Sequence, residues 1–181
     1  MQKLKFLRPA LPLTFICVII ALLLALVNAV TADRIIENTL NEKTQAIKGI
    51  FTECENFESE ENSSLFSSNV SDAGVVLNKE GDVIGYYADV APVGFKGEIG
   101  LIVGTDTEGK VLKVSLLSAS ETPGVGTKAT DASYLAKFSG LKSDDVNSVT
   151  AITGATISSK AVKAGIESAT ETIENIIKEG K

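Results

Sequence analysis

Val149-Thr150-Ala151-Ile152-Thr153-Gly154-Ala155-Thr156-Ile157-Ser158-Ser159-Lys160-Ala161-Val162 packs five hydroxyl residues, several small ones and one glycine against the start of a long apolar pattern. Val162, Ile166, Ala169, Ile173 and the pair Ile176/Ile177 follow at steps of four, three, four and three. That spacing places one apolar stripe along a helix, and Gly180 is a natural stop. Thr156, Ser158 and Ser159 then fall at the helix start, where hydroxyls cap free N–H groups. The same N–H groups, with the helix dipole, also make an anion site. Residue types alone leave both readings open.

Working outward, two runs precede this helix that punctuate rather than pack. Pro92-Val93-Gly94-Phe95-Lys96-Gly97 and Glu121-Thr122-Pro123-Gly124-Val125-Gly126-Thr127-Lys128 are rich in glycine and proline. By themselves they read as turns. Around them lie strand patterns. Gly74–Leu77 and Val83–Tyr87 flank the turn Asn78-Lys79-Glu80-Gly81-Asp82; Ile99–Val103 and Val111–Leu117 flank Asp106-Thr107-Glu108-Gly109. Short Gly-containing turns between apolar runs predict two hairpins, hence an antiparallel sheet of four strands. Thr130–Phe138 reads as a short helix with Tyr134, Leu135 and Phe138 as core. Residues 54–70 are acidic, rich in serine and asparagine, and weakly patterned, so an irregular surface segment is expected there.

Further upstream, residues 9–32 carry no charge, and Leu11–Val27 is nearly all apolar. About 20 such residues at roughly 1.5 Å each span a bilayer. Val27-Asn28-Ala29 and Val30-Thr31-Ala32 resemble signal-peptide cleavage sites, but the run exceeds a signal core, which favours a retained anchor. Lys3, Lys5 and Arg8 precede the run and the next basic residue is Arg34. The positive-inside bias therefore puts the N-terminus in the cytoplasm and the rest outside. Asp33–Phe51 continues as helix, with Ile35, Ile36, Leu40, Ala46, Ile47 and Ile50 as a loose stripe.

Composition removes whole classes of chemistry. After the anchor, 14 basic residues face 23 acidic ones, a formal −9, which leaves no basic patch for nucleic acid. The chain has no histidine and two isolated cysteines, Cys17 and Cys54. Histidine-based catalysis, histidine-ligated zinc or haem, a CxxC dithiol and an Fe–S cluster are thereby excluded, and no metal-ligating set stands out. If this chain moves electrons, it does so on an organic cofactor.

Thr153-Gly154-Ala155-Thr156 followed by Ser158-Ser159 resembles the [S/T]GAT-x-[S/T]S motif of the FMN-binding domain. That domain occurs in the G subunit of Rnf electron-transport complexes and in the C subunit of the sodium-pumping NADH:quinone reductase. Gly94-Phe95-Lys96-Gly97 resembles the G-[FY]-x-G loop of this family, and Glu121–Gly126 its ETPG-[LV]-G loop, both close to the flavin. The resemblance covers most of the chain, anchor included. The family often has an aspartate where Thr150 stands and a histidine just before ETPG, where Ser118-Ala119-Ser120 stand.

The resemblance implies FMN held by a phosphoester on Thr156. It places Gly154, Ala155, Ile157 and Ser158 around the phosphate, with Thr153 and Ser159 beside it. Glu121, Thr122, Pro123, Gly124, Gly94 and Phe95 are implied to lie near the cofactor, with no catalytic residue in this chain. A separate FAD:protein FMN transferase is implied for attachment, and the other membrane subunits of an Rnf complex as partners. The compact length after the anchor favours the Rnf protein over the quinone-reductase homologue. With no GxGxxG after a strand, the chain is expected to relay electrons rather than bind NAD.

The expected fold class is α+β: a single N-terminal transmembrane helix, then one FMN-binding domain with an antiparallel sheet and flanking helices. The expected divisions are a cytoplasmic N-terminus (1–10), a transmembrane helix (11–32), a connecting region (33–72) and the FMN-binding domain (73–181). The implied function is electron relay within an ion-translocating ferredoxin:NAD oxidoreductase of a prokaryotic plasma membrane. The competing reading is an anchored extracytoplasmic domain that binds a soluble anion or other solute without covalent flavin.

Overall fold

In a computed structural model of the chain, residues 3–180 are described, with side chains from residue 12 onward. Helix α1 (Lys3–Ile50) is shared between two compact units, Met1–Glu42 and Lys43–Lys181. In the first unit Leu13, Phe15, Leu22 and Leu24 are each about two-thirds exposed. An 18-residue window of this helix has mean hydropathy 2.9 and nothing in it is buried. By length and composition it is able to cross a membrane, where lipid rather than protein would cover those side chains.

The second unit is built on five antiparallel strands in the order β1 (Asn56–Ser59), β2 (Val70–Leu77), β3 (Val83–Val90), β4 (Ile99–Thr105) and β5 (Val111–Ala119). Sequence order and spatial order coincide, so the sheet is a simple antiparallel meander. Two links use the same device. Asn78 Oδ1 accepts from the backbone N–H of Glu80 and Asp82, both at 2.9 Å, while Gly81 takes φ +87°. Asp106 Oδ1 accepts from Glu108 and Lys110, again at 2.9 Å, with Gly109 at φ +80°. The side chain bonds the backbone two and four residues on, and glycine supplies the left-handed step.

The sheet has one more strand than the four expected. Residues 54–70, expected to be irregular, supply β1 and the first residue of β2. The pairing of Phe57 with Val76 and Ser59 with Gly74 orders this edge. The Phe57 ring stands edge-on to Tyr87 at 5.5 Å. A four-residue strand with one apolar anchor has no periodicity to read; its partner strand makes it a strand.

Helix α3 (Thr156–Glu179) lies on one face. Val162, Ile166, Ala169 and Ile173 are fully buried there in a cluster with Ala88, Val90, Leu101 and Val103. The expected short helix appears as α2 (Ala132–Leu135) running into a 3-10 turn at Ala136–Phe138, with Tyr134 and Phe138 buried and edge-to-face. The other face carries a smaller cluster of Ile47, Phe51, Val76, Tyr87 and Ile102. The end of α1 docks here: a Cβ at Gly85 would collide with the Phe51 ring and one at Gly104 with Ile50, so the two glycines floor their seat.

Candidate functional site

Three segments meet at one end of the sheet, and each arrives for a local reason. The 93–98 turn is closed by the bond from Gly94 N–H to Gly97 O at 2.8 Å. The 121–127 loop is tightened by Val125 N–H to Thr122 O (3.1 Å) and by Gly124 N–H to Thr127 Oγ1 (2.9 Å), with Gly124 at φ +74°. A Cβ built on Gly124 meets nothing within 4 Å, so only the backbone conformation asks for glycine there. The third segment is the entry to α3, where Gly154 takes φ +85° immediately before the helix.

Between them is a cavity of about 400 Å³ lined by Phe95, Glu121, Thr122, Val125, Gly126, Gly154, Ala155, Thr156, Ile157 and Ser158. Its rim is apolar and open: Phe95, Val125 and Ile157 are 66%, 48% and 54% exposed. Thr156 is exposed on the first turn of α3. The first bond of this helix outside its own interior runs from Ser159 N–H to Ala155 O at 2.8 Å. Helix geometry leaves the N–H groups of Thr156, Ile157 and Ser158 without intrahelical acceptors, beside the cavity.

The structure therefore brings Thr156, Gly154, Ala155, Ile157, Ser158, Glu121, Thr122 and Phe95 to one cavity. Thr153, Ser159, Pro123, Gly124 and Gly94 lie next to these in sequence but outside the lining. Val125 and Gly126 line it although they were not among the candidate residues; the loop Gly124-Val125-Gly126 was the available signal. The expected hydroxyl cap does not form. Ala155 is the N-cap and has no side-chain bond. Ser159 is instead fully buried, and its Oγ accepts from Ile152 N–H at 3.1 Å, bracing the loop before the helix. Facing inward, it is unavailable as a cap.

Glu121 is the one acid in the lining, and it is 6% exposed. Its Oε1 accepts from Phe95 N–H at 2.6 Å and from Lys96 N–H at 3.5 Å. A Cβ at Gly94 would overlap Oε1, and one at Gly126 would overlap Oε2. At both positions the carboxylate occupies space that a Cβ would take. Oε2 is buried and has no hydrogen-bond partner.

Residues 94–171, from the first of these loops through most of α3, match the FMN-binding domain family. The G subunit of an ion-translocating oxidoreductase complex from Methanosarcina acetivorans is 31% identical, over 86% of this chain and 88% of the relative. The chain belongs to this G-subunit family of Rnf complexes. The G subunit of the Na(+)-translocating ferredoxin:NAD(+) oxidoreductase complex of Acetobacterium woodii is 28% identical over 90% of this chain and 89% of its own length. Its counterpart in the proton-translocating complex of Clostridium ljungdahlii is 26% identical over 89% and 88%. As a member of that family the protein is an FMN-binding electron-transport flavoprotein with an apolar N-terminal helix suited to a membrane. The residues at the cavity fit FMN: unfilled N–H donors for a phosphate and an apolar rim for a flat ring.

Proposed function

We propose that this chain carries FMN as a phosphoester on Thr156 and relays electrons within an Rnf-type ferredoxin:NAD oxidoreductase coupled to ion translocation. The observation that carries the proposal is the position of Thr156. It is an exposed hydroxyl on the first helical turn, on the wall of the cavity, beside three N–H groups without intrahelical acceptors. A phosphodiester there keeps one negative charge, and the helix start stabilises it by roughly 0.3–1 kcal/mol.

Attachment is a phosphoryl transfer. Thr156 Oγ attacks the FMN-side phosphorus of FAD, the P–O–P bond breaks, AMP leaves, and the hydroxyl proton passes to a base. The chain has no histidine to act as that base, and a separate Mg-dependent transferase supplies it. Selection of Thr156 follows from exposure: Ser158 and Ser159 are buried, and Thr153, though exposed, lies outside the cavity lining.

Bound FMN supplies reversible electron acceptance, chemistry that no side chain here provides. The protein's part is position and environment. The 122–127 loop and Gly154 hold their turns without side chains in the way, and Phe95, Val125 and Ile157 offer apolar contact to the ring. The other membrane subunits of the complex are the partners. The apolar span within residues 11–32, with Lys3, Lys5 and Arg8 before it, supports a flavin domain on the extracytoplasmic side of the plasma membrane through the positive-inside bias.

The test is denaturing electrophoresis of protein co-expressed with a transferase. A fluorescent flavin band, abolished by Thr156→Ala and kept by Ser158→Ala, is expected, with FMN mass on the Thr156 peptide. A band that survives Thr156→Ala moves the attachment elsewhere. No band in the wild type leaves a non-covalent anion- or solute-binding domain.

A further inference from the structure

We propose that the Glu121 carboxylate is the group of this chain that holds the reduction potential of its flavin low; this rests on the reading of Thr156 as the flavin site. The carboxylate is a placed charge rather than a surface acid. Phe95 and Lys96 N–H fix Oε1, and the lack of a Cβ at Gly94 and Gly126 leaves the carboxylate its place. Oε2 is buried without a partner, packed against Gly126, and Glu121 lines the same cavity as Thr156. A fold that needed Glu121 only to join two loops would have used both oxygens, because a buried unpaired acceptor is destabilising.

A ring seated in this cavity gains negative charge with each electron that is not matched by a proton. A fixed carboxylate nearby opposes that charge, and burial makes the opposition stronger than in water. Among the described residues lining the cavity there is no lysine or arginine to offset it. Glu121 therefore acts on the cofactor through its charge, as a positioning and tuning residue rather than as an electron carrier.

The experiment is a redox titration, followed by flavin absorbance, of full-length protein with its covalent flavin, as wild type and as Glu121→Gln. The amide keeps an oxygen for Phe95 N–H and removes the charge. The expected result is a tenfold shift of the redox equilibrium toward the reduced flavin, about 59 mV upward for one electron. An unchanged or lowered potential with the flavin band intact overturns the proposal. Loss of the band from Glu121→Gln alone assigns Glu121 to attachment and overturns it too.

A second readout needs no flavin. In the unflavinylated Thr156→Ala chain, adding Glu121→Gln should leave the unfolding temperature unchanged or raised, since Oε2 has no bond to lose. An equal fall in the flavin-free and flavinylated chains makes Glu121 a plain loop clip and overturns the proposal. A wild type that carries no flavin overturns the Thr156 reading first, and this one with it.

Discussion

On one face of the sheet, α3 sets Val162, Ile166, Ala169 and Ile173 among Ala88, Val90, Leu101 and Val103. On the other face, the last turns of α1 bring Ile47 and Phe51 onto Val76, Tyr87 and Ile102, and beside them a lysine. Lys43 is 9% exposed. Its ammonium bonds Asp72, lies 3.6 Å from Asp89 and sits over the Tyr87 ring at 5.2 Å. The Tyr87 hydroxyl bonds Asp72 and Ser59, each at 3.0 Å. Asp72 and Asp89 are directly opposed on β2 and β3. Two like charges facing each other across a strand pair destabilise a sheet, and the inserted lysine, with the hydroxyls on Asp72, offsets that repulsion. Burial raises the Tyr87 phenol well above its ordinary value, with Asp72 adding to the shift, so it stays a donor to that carboxylate. The α3 face is held by area, which is non-directional; the α1 face by a few groups that must be in place together.

The largest contrast comes from cutting the chain. A fragment of residues 43–181 should unfold cooperatively, whereas one of residues 73–181 should show no thermal transition by circular dichroism. The shorter piece lacks Lys43, Ile47, Phe51 and β1, so a whole face of the sheet is stripped. A cooperative transition in the shorter fragment would make the α1 face dispensable.

Next is Ile166→Ala on the α3 face, where the side chain is fully buried. We expect about 3–4 kcal/mol lost in urea unfolding, within the usual range for such truncations. On the α1 face, Lys43→Met should cost about 3 kcal/mol, because it leaves two facing carboxylates unpaired. The two faces differ in how these losses are repaired. Adding Asp72→Asn to Lys43→Met should recover at least about 1 kcal/mol, a coupling that a double-mutant cycle reads directly. Strict additivity would mean that the lysine acts by packing alone.

The smallest effect concerns pH. Burial, then repulsion from Asp72, raises the Asp89 carboxyl above its ordinary 3.8, with Lys43 opposing. A raised folded-state value means that the folded chain binds this proton more tightly than the unfolded chain. The contribution of Asp89 is therefore full below pH 3.8 and lost as pH climbs through the folded-state value. Asp89→Asn should gain on wild type over that window and hold the gain to neutrality. Denaturant midpoints measured at several pH values check this; a gap that closes with rising pH would mean that Lys43 overcompensates the repulsion.

The α3 stripe was legible in the sequence because every apolar residue in it is within four of the next. The hairpins were legible because Asn78 with Gly81, and Asp106 with Gly109, make their turns from their own side chains. Strand β1 was not legible: Asn56-Phe57-Glu58-Ser59 has no pattern of its own. Nothing local in the sequence marks Lys43, Asp72 or Asp89 as charges that another element will bury. At the site, the motif resemblance pointed to Thr156, which lines the cavity, while the inward turn of Ser159 depended on Ile152, seven residues away.

The sequence by itself determined the apolar N-terminal helix, the two hairpins, the α3 face and the family motifs around Thr156. These follow from periods of two and 3.6 residues and from turn chemistry, all of which act within a few positions. Only the tertiary structure decided that Glu121 lies between Gly94 and Gly126 with one oxygen unpartnered, and that Lys43 pairs with two aspartates 29 and 46 positions away. A charge is tolerated in a protein interior by its partners in space, and those partners are brought to it by the sheet register and by helix docking, over distances along the chain that no local pattern spans.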